Sequence, residues 1–508
     1  MATQHPDNAG APWWRRDAFI PTQDEIDELL LLFRELPIDE YMWDWEGKYV
    51  DESVGEKLFS RAQEYFKEHP LGSEKHLTYR IPAFDGDRMH RMARAFMNIL
   101  SLADLARDIG LPMPPVAEMF LPLTTDASQP LQVRKVFRDV AGYHRAIFHP
   151  TPLRPAGQAD DRLLELLEVT PLVEDVQSLF GIEQIVRPYW EQLLKERGSL
   201  PRGQRVFLAR SDPALNDGLV PAVLAVKAAL STVTRVGEEL GLVVHPIIGT
   251  GSLPFRGSVN PTHVDAFLEQ YAGTRTYSIQ SAFRYDYPLD AVRGALERIR
   301  TEAPRKDALR LEPAEISDLR ALADAFAQFW KPSIEALAPM INRIAEHVPQ
   351  RRERLQHIGL FGYSRGVGSV KLPRAIGFTA ALYSLGIPPE LIGAGRGLKA
   401  AHERKLLPVL DRFYPSLRKD LERAGHYLNR ENLDLLARRD RGFAAVQGEI
   451  ADIERMLSIS LGPKDSWHML HRNVTSTMFH LLHEPGMEDA AALQDAIAEA
   501  GKLRRSLG

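Results

Sequence analysis

Short runs of apolar and β-branched residues recur along the chain, and each run ends in polar residues. Segments with the length and periodicity of amphipathic helices separate these runs. The runs predict seven strands, at residues 76–81, 119–124, 167–172, 205–208, 243–248, 276–280 and 358–361. Strands that alternate with helices form βαβ units, so the pattern predicts a parallel sheet, and one unassigned strand would complete an eight-stranded barrel.

Helical patterns fill the segments between the predicted strands. Thr22 followed three residues later by Glu25 is a capping box that predicts the start of the first clear helix, and Pro37 predicts its end. Residues 222–240 and 261–272 also have helical length and periodicity. From about residue 307 onward the chain is rich in Ala, Leu, Arg and Glu, which predicts an almost wholly helical C-terminal part.

Together these patterns predict an α/β fold, namely a TIM-like (β/α)8 barrel elaborated with many additional α-helices and a helix-rich C-terminal part. The length of 508 residues alone would suggest about three domains, but no internal repeat, low-complexity segment or convincing linker divides the chain. We therefore expect a single domain over residues 1–508. Its barrel strands are predicted from about residue 76 to 365, and its helical part from about 366 to 508.

The composition narrows the class of protein and the chemistry open to it. With 44% hydrophobic and 26% charged residues, the chain is typical of a globular protein, not of a disordered or collagen-like one. A net charge of −5 lacks the basic excess of a nucleic-acid binder. Cysteine is absent, which excludes disulfides, thiolate metal sites and a Cys nucleophile. With no signal peptide or uninterrupted apolar span, we expect a soluble, cytoplasmic protein.

Charged or glycine-rich segments accompany the predicted strand ends, where the active sites of barrel enzymes lie. They are Arg80, Glu174 with Asp175, Arg210 to Asp212, the glycine-rich stretch 249–257, and residues 362–366. Carboxylates from neighbouring strands can converge on a hard cation, and arginines can clamp a phosphate or carboxylate. The mixture of acidic and basic strand ends therefore indicates a metal-assisted reaction on a phosphorylated anion.

Each of these features also has a simpler structural interpretation. The stretch 249–257 lacks the Lys-Ser/Thr of a P-loop and the spacing of a dinucleotide fingerprint, so it would otherwise be a tight turn. Glu174 or Asp212 taken alone could be a helix N-cap or a surface ion-pair partner. Arg365 and Arg374 taken alone could be surface cations. These alternatives stay open on the local pattern.

Several motifs occur in one order from residue 3 to about residue 400. They are Thr3-Gln4-His5-Pro6-Asp7-Asn8, Pro171-Leu172-Val173-Glu174, Ser211-Asp212 followed by Asn216-Asp217-Gly218, the stretches 249–261 and 279–286, Ser364-Arg365, and residues 372–376. In that order they resemble the short, archaeal-type branch of phosphoenolpyruvate carboxylase. That family carries T-Q-H-P-D-N, P-L-F-E, Y-S-D-S-A-K-D-A-G and G-R-G-G-S-I-G-R-G-G-A-P, an archaeal-type pattern like 279–286, and S-R-P and L-R-A-I-P.

The resemblance implies a role for each matched residue. His5 is implied as the catalytic base, and Glu174 with Asp212 as the ligands of Mg²⁺ or Mn²⁺. The implied catalytic arginines, which would bind the substrate's phosphate and carboxylate, are Arg256, Arg365 and Arg374. The further substrate-binding residues would be Arg80, Gly249, Gly251, Ser252, Gln280, Arg284 and Ser364. Terminal residues are commonly disordered, so a base at His5 requires the N-terminal segment to fold over the barrel mouth.

The implied reaction is the carboxylation of phosphoenolpyruvate by bicarbonate to oxaloacetate and phosphate, an anaplerotic carbon fixation without biotin. Phosphate would move to bicarbonate, and carboxyphosphate would form beside the enolate of pyruvate. His5 would then accept a proton as carboxyphosphate collapses to CO₂. Water must be excluded, because it would protonate the enolate to pyruvate. The implied partners are the two substrates and further copies of the chain in a homotetramer, with no nucleic acid and no membrane.

Two departures from the family pattern each remove a positive charge. Thr250 stands where the long enzymes have the first arginine of the glycine-rich motif, and Leu215 stands near their S-A-K lysine. Arg80, Arg134 or Arg284 could supply the missing charge. Two other functions also stay open. One is a different Mg²⁺-dependent barrel lyase, such as an aldolase acting on a pyruvate enolate, and the other is a non-catalytic module that senses phosphoenolpyruvate.

Overall fold

The structure, a computed structural model, describes residues 1–84, 89–148, 167–198, 203–353, 365–367, 370–484, 486–487 and 489–508. Within these residues, an eight-stranded sheet has a strand order that follows the chain, and its neighbouring strands are parallel. Its strands are β1 (Ala2–Thr3), β2 (Glu40–Asp44), β3 (His76–Arg80), β4 (Glu118–Leu121), β5 (Glu168–Val173), β6 (Gly203–Ala209), β7 (Val243–Gly249) and β8 (Thr276–Tyr277).

The first and last strands of this sheet approach each other around a barrel-like curve. Just beyond β8, an isolated parallel bridge joins Ala2 to Ile279. The Thr3 N–H donates to the Ile279 carbonyl at 3.2 Å, and the Ile279 N–H donates to the Met1 carbonyl at 2.8 Å. The α/β parallel sheet is confirmed, and the architecture is consistent with a TIM-like barrel. In the described residues, β1 and the segment just after β8 are joined by a single bridge and not by a continuous strand ladder.

The sheet begins earlier in the chain than the pattern predicted. Strands β3 to β8 correspond to the first six predicted strands, whereas β1 and β2 were missed, so the start of the barrel near residue 76 is wrong. β1 is too short to show a periodicity. β2 is buried at four of its five positions, which removes the alternation that marks a half-buried strand. The predicted strand at 358–361 lies outside the described residues.

Side chains at alternate strand positions fill the inside of the curled sheet in layers, as the two-residue period of a strand requires. One layer is charged, because Arg205 pairs with Glu40 at 2.9 Å and with Glu118 at 2.5 Å. The next layer is an apolar cluster of Met42, Phe120, Leu172, Phe207, Ala209 and Ile247. Two positions beyond Met42 and Leu172 stand Asp44 and Glu174, at the carboxyl ends of their strands. The strand period thus places polar side chains on top of an apolar layer.

Helices surround the sheet and make up most of the C-terminal part. In the described residues they are α1 (Glu25–Glu35), α2 (Val54–Glu68), α3 (Met89–Asp108), α4 (Ser128–Phe148), α5 (Val176–Phe180), α6 (Glu183–Arg197), α7 (Ser211–Asp217), α8 (Leu219–Glu239), α9 (Val264–Gln270), α10 (Ser281–Tyr285), α11 (Leu289–Glu302), α12 (Pro313–Ala345), α13 (Ala375–Ser384), α14 (Ala394–Glu403), α15 (Leu407–Phe413), α16 (Leu417–Gly425), α17 (Arg430–Ala437), α18 (Arg441–Leu457), α19 (Ser466–His483) and α20 (Ala490–Arg504).

The helical predictions hold for the described residues, with one exception. The predicted helices at 222–240 and 261–272 appear as α8 and α9, and helices α12 to α20 follow residue 307. An antiparallel hairpin interrupts the helical part, formed by β9 (Arg365–Val367) and β10 (Val370–Leu372). By length and composition α8 could cross a membrane, but 83% of its apolar window is buried inside the protein, so it is a core helix.

Candidate active site

A polar cavity lies at the carboxyl ends of the strands, above the apolar layer. Leu172 and Phe207 of that layer form part of its lining. Eight of the predicted site residues line this one cavity: His5, Arg80, Glu174, Asp212, Gly249, Arg256, Gln280 and Arg374. They are distant in the sequence, and they meet because the carboxyl ends of parallel strands share one end of a barrel.

The N-terminal segment that carries His5 is tied to the rest of the protein. β1 pairs with β2 in the sheet. The carbonyl oxygen of His5 accepts a hydrogen bond from Ser281 Oγ at 2.8 Å. The Asp286 carboxylate accepts the backbone N–H groups of Ala9 and Gly10 at 2.8 and 2.7 Å. The structure therefore orders this terminus, and the expectation that the segment folds over the barrel mouth agrees with the position of His5 in the cavity lining.

The imidazole of His5 has one ring nitrogen engaged, because Nδ1 lies 3.0 Å from Thr3 Oγ1. Burial lowers the pKa of His5 well below its usual value, the nearby Arg80 guanidinium lowers it further, and Asp44 opposes both. His5 is therefore neutral at neutral pH. In the tautomer that carries its hydrogen on Nδ1, Nε2 is the nitrogen that can accept a proton from a ligand in the cavity.

The lowered pKa of His5 makes folding depend on pH. An unfolded chain protonates this side chain near its ordinary pKa of 6.5, whereas the folded chain does so only at lower pH. The contribution of neutral His5 to stability is therefore complete above about pH 6.5 and is lost as the pH falls toward the folded pKa. We expect the free energy of unfolding, measured in urea, to fall more steeply for wild type than for His5→Asn between about pH 7 and about pH 5. Equal slopes would contradict the shift.

Arg256 is buried in the wall of the cavity, with 1% of its surface exposed. Its Nη1 donates to Asp7 Oδ2 at 3.1 Å and to the Gly508 carbonyl oxygen at 2.6 Å. Its Nη2 donates to Gln280 Oε1 at 2.6 Å. Burial lowers the pKa of Arg256 and Asp7 raises it, but a guanidinium stays protonated throughout the working range of pH. These acceptors hold the predicted anion-binding arginine in a fixed position.

The glycine-rich loop leaves room for Arg256, because Gly251 has no side chain. A Cβ atom on Gly251 would lie 2.7 Å from Cζ of Arg256 and 2.8 Å from its Nη1. Gly257, directly after Arg256, has a φ of +122°, which strains any residue with a Cβ. The loop is therefore the tight turn that its glycines suggest. Gly251 contacts the arginine and does not itself line the cavity, whereas Gly249 does.

Adding a methyl group at Gly251 should reduce activity through Arg256. We expect Gly251→Ala to lower kcat/KM for phosphoenolpyruvate, the substrate that the family resemblance implies, by about 10²-fold, because displacement of a positioning group by about 1 Å costs that much. Steady-state kinetics measures the effect. Gly294→Ala is the matched control, since a Cβ there meets nothing within 4 Å, and its kcat/KM should equal that of wild type. Unchanged kinetics in Gly251→Ala would show that the position of Arg256 does not matter.

Arg80 and Arg374 bring two more guanidinium groups to the cavity. Arg80, the last residue of β3, is held by Asp44 through hydrogen bonds of 2.9 and 2.6 Å and lies 3.5 Å from Glu46. Arg374 precedes α13 and packs on Gly47, where a Cβ would lie 2.5 Å from its Nη1. Because Arg374 lines the cavity, its alternative interpretation as a surface cation does not hold.

Glu174 and Asp212 come from neighbouring strand ends and line the same cavity. Glu174 directly follows β5, and Asp212 lies in the first turn of α7, after β6. Neither is a helix cap. Asp175 caps α5 by accepting the Ser178 N–H at 2.7 Å, and α7 has no side-chain cap. Glu174 Oε2 accepts the Leu123 N–H at 2.8 Å, a bond that fixes the orientation of its carboxylate.

These two carboxylates fit a hard divalent cation. Oxygen ligands are those that Mg²⁺ prefers, and it commonly takes one or two carboxylates while water and substrate oxygens complete its shell. Within the described residues, no group of three or more His, Cys, Asp or Glu side chains is placed to hold a metal. The cavity therefore suits a cation shared with an anionic substrate, and not a closed structural site made of protein ligands alone.

Other predicted residues are not part of the described cavity lining. Arg284 is fully buried and donates to the Thr3 carbonyl oxygen at 3.0 Å and to Glu28 at 3.1 Å. Ser252 lines a separate depression beside the C-terminal helices. Arg365 lies in β9, and Ser364 lies outside the described residues.

Three arginines were possible sources of the charge missing at Thr250 and Leu215. Arg80 lines the cavity, whereas Arg284 does not. Arg134 donates to the Leu167 carbonyl at 3.1 Å, at the start of β5 and so at the opposite end of the strands. Among these three, the structure therefore leaves Arg80 as the candidate.

No role was assigned from the sequence to several residues of the cavity lining. They are Gln4, Asp44, Gly47, Lys48, Ser211 and Arg352 among others. Asp44, Gly47 and Lys48 belong to the end of β2 and the turn that follows it. Recognising β2 would have identified this turn by the same strand-end rule that identified Glu174 and Asp212.

Comparisons with known proteins agree with the site. The family model described as Phosphoenolpyruvate carboxylase matches residues 1–508. The phosphoenolpyruvate carboxylase of Leuconostoc mesenteroides subsp. mesenteroides is 35% identical over 100% of this chain and 98% of its own. That of Metallosphaera sedula is 36% identical over 100% and 99%, and that of Pyrococcus abyssi is 37% identical over 84% and 88%. The chain therefore belongs to the phosphoenolpyruvate carboxylase family and is an enzyme of that type.

Proposed function

We propose that the protein carboxylates phosphoenolpyruvate with bicarbonate and releases oxaloacetate and inorganic phosphate. One observation carries the proposal: a single cavity gathers a neutral histidine, two carboxylates on neighbouring strand ends and several guanidinium groups. Guanidinium groups recognise phosphate and carboxylate in bidentate fashion. The histidine supplies a base that is unprotonated at neutral pH. Family membership supports the same substrate.

The side chains divide the work of the reaction between them. Arg256, Arg374 and Arg80 would bind the phosphate and carboxylate of phosphoenolpyruvate and offset charge as the phosphoryl group passes to bicarbonate. Arg365 would join them, as the family resemblance implies. The products of this step are carboxyphosphate and the enolate of pyruvate.

His5 would act in the second half of the reaction. It would take the proton of carboxyphosphate through Nε2 as the C–O bond to phosphate breaks and CO₂ and phosphate separate. The enolate carbon then forms the new C–C bond to CO₂. The N-terminal segment, held over the cavity by Ser281 and Asp286, would keep out water that would otherwise protonate the enolate.

Glu174 and Asp212 would hold Mg²⁺ or Mn²⁺ in this cavity. When bound, the cation supplies positive charge that stabilises negative charge developing on the enolate oxygen. The fixed orientation of the Glu174 carboxylate, through the Leu123 N–H, supports this role. We also propose a closed TIM-like barrel and a cytoplasmic location, both of which the sequence pattern predicts, and a homotetramer, which the family resemblance implies.

A coupled assay for oxaloacetate, with phosphoenolpyruvate, bicarbonate and Mg²⁺ each omitted in turn, tests the function. We expect oxaloacetate only when all three are present, with phosphate released in equal amount. An aldolase acting on a pyruvate enolate would need no bicarbonate, and a sensing module would bind phosphoenolpyruvate without turnover. Either of these results would overturn the proposal.

A further inference from the structure

Lys48 is a buried lysine in the cavity lining to which the family resemblance assigns no role. Only 3% of its surface is exposed. Its ammonium group contacts Glu25 Oε1 and lies 5.8 Å from the centre of the Trp43 ring. A lysine is rarely buried to this extent without a specific partner for its charge.

The turn that carries Lys48 is held by hydrogen bonds between neighbouring side chains and its backbone. Arg91, from α3, donates to the carbonyl oxygens of Glu46 and Lys48, both at 2.9 Å. The Glu46 N–H donates to Asp44 Oδ1 at 3.1 Å. Hydrogen bonds therefore anchor the backbone at Lys48 to α3 and to the end of β2.

Glu25 links Lys48 to the segment that carries the proposed base. Its Oε1 contacts Lys48, and its Oε2 accepts a hydrogen bond from Gln4 Nε2 at 2.8 Å. Gln4 directly precedes His5, and its Oε1 accepts the Asp44 N–H at 2.8 Å. The lysine and the segment that bears the histidine are thus held by one carboxylate.

Glu25 pairs with a second cation besides Lys48, and that cation is shared with Glu28. Arg352 Nη1 donates to Glu25 Oε1 at 3.0 Å, so a second cation already pairs with this carboxylate. An ammonium group has three N–H donors, and Glu25 is the one hydrogen-bond acceptor that the described residues offer it. Burial lowers the pKa of Lys48, and Glu25 raises it without cancelling that effect. The charge of the ammonium group is therefore not fully compensated.

Protein carboxylates also pair with two other cations of the cavity, and Arg80 has two such partners where Lys48 has one. Arg80 has Asp44 and Glu46 as neighbours, and Arg256 has Asp7. The reactants of the proposed function are small oxyanions that must be desolvated in this cavity. A compact ammonium with donors to spare suits such a ligand.

We propose that Lys48 binds an oxyanion of the reactants, either bicarbonate or phosphoenolpyruvate, beside the segment that carries His5. This inference rests on the proposed function and adds a binding residue to it. The shared chemistry is a charge-assisted N–H···O hydrogen bond to the reactant's oxyanion.

Steady-state kinetics of Lys48→Met separates the two reactants. Methionine keeps the length of the side chain and removes its charge. We expect the KM for one substrate to rise at least about tenfold, the equivalent of one charge-assisted hydrogen bond, and the KM for the other to stay within about twofold. A rise for bicarbonate identifies bicarbonate as the ligand, and a rise for phosphoenolpyruvate identifies phosphoenolpyruvate. Both KM values within about twofold of wild type would overturn the proposal.

Lys75→Met is the matched control. Lys75 is also buried, at 7% exposure, donates to the Ile38 carbonyl at 2.9 Å and lies 5.5 Å from the centre of the Phe33 ring, but it does not line the cavity. Both its KM values should match wild type. Lys48→Gln is a second variant that can still hydrogen bond to Glu25, in case Lys48→Met does not fold, and it should show the same one-sided rise.

Equilibrium binding distinguishes failure of this inference from failure of the proposed function. If wild type formed no oxaloacetate, the proposed function would have failed. Titration calorimetry with phosphoenolpyruvate and with bicarbonate, on wild type and Lys48→Met, would still test Lys48. Weakening of one ligand by at least about tenfold supports the inference, and unchanged binding of both overturns it.

Discussion

Replacement of His5 by asparagine is expected to lower oxaloacetate formation by about 10²–10⁴-fold, the usual contribution of a general base. Transfer of phosphate to bicarbonate uses the cations of the cavity and needs no base, whereas collapse of carboxyphosphate needs a proton acceptor. Carboxyphosphate that does not collapse in the cavity should be hydrolysed by water to bicarbonate and phosphate. Phosphate release should therefore continue with bicarbonate present, and pyruvate should accumulate, because an enolate that receives no CO₂ is protonated instead. Parallel assays of oxaloacetate, pyruvate and phosphate on one protein measure this split.

His245→Asn is the matched control for this variant. His245 lies in β7 of the same sheet, and burial lowers its pKa as well, but it does not line the cavity. We expect its oxaloacetate formation to match wild type. Normal oxaloacetate formation by His5→Asn would remove His5 from the mechanism, and a loss of phosphate release in step with oxaloacetate would move its role to an earlier step.

The double variant Glu174→Gln/Asp212→Asn is expected to lower activity by about 10³-fold at saturating Mg²⁺. Each substitution keeps the shape of the side chain and removes a negative charge that a divalent cation needs. The loss corresponds to the several kcal/mol that a bound cation supplies to a transition state with developing negative charge. Calorimetric titration with Mn²⁺ measures the metal affinity independently of turnover, and it should weaken together with the activity.

A surface double variant controls for the change in charge. Glu183→Gln/Asp265→Asn also removes two carboxylates, which pair with Arg235 and Arg298 outside the cavity lining. It should keep wild-type activity and wild-type affinity for Mn²⁺. Wild-type values in the cavity double variant would mean that the cation binds elsewhere or that the reaction does not use it.

The sheet was largely predictable because most of its strands are buried apolar runs with polar ends. β1 was missed because two residues are too few to show a periodicity, and its pairing partners, β2 and Ile279, lie far along the chain. The capping box is a different kind of error. The motif predicted an N-cap at Thr22, but α1 begins three residues later, at Glu25, after a 3-10 turn over Thr22–Asp24. Thr22 Oγ1 donates to Glu353 at 2.7 Å, and Glu25 is buried against Lys48. A local sequence motif cannot reveal that one of its side chains, here that of Glu25, forms an ion pair with a residue elsewhere in the fold.

The site was predictable where a motif also marks a strand end. Glu174, Asp212 and Arg256 satisfy both conditions, and the structure brings them into one cavity. Arg284 shows the limit of motif matching, since it lies in a matched segment but is bonded to Glu28 beneath the cavity lining. Lys48 shows the opposite limit. It follows β2, a strand that the sequence pattern did not predict. A single buried lysine also belongs to no spaced motif by which the sequence could identify it.

The bridge between Ala2 and Ile279 also bears on the order in which the molecule becomes active. During synthesis the segment that carries His5 leaves the ribosome before the later strands of the sheet, yet its distant partner emerges after every strand of the sheet. Contacts between such distant residues form late, because loop closure costs entropy before the contact stabilises anything. A nascent chain can therefore hold Glu174 and Asp212 in place while His5 still lacks its final position. Catalytic competence is thus among the last properties the chain acquires as it folds.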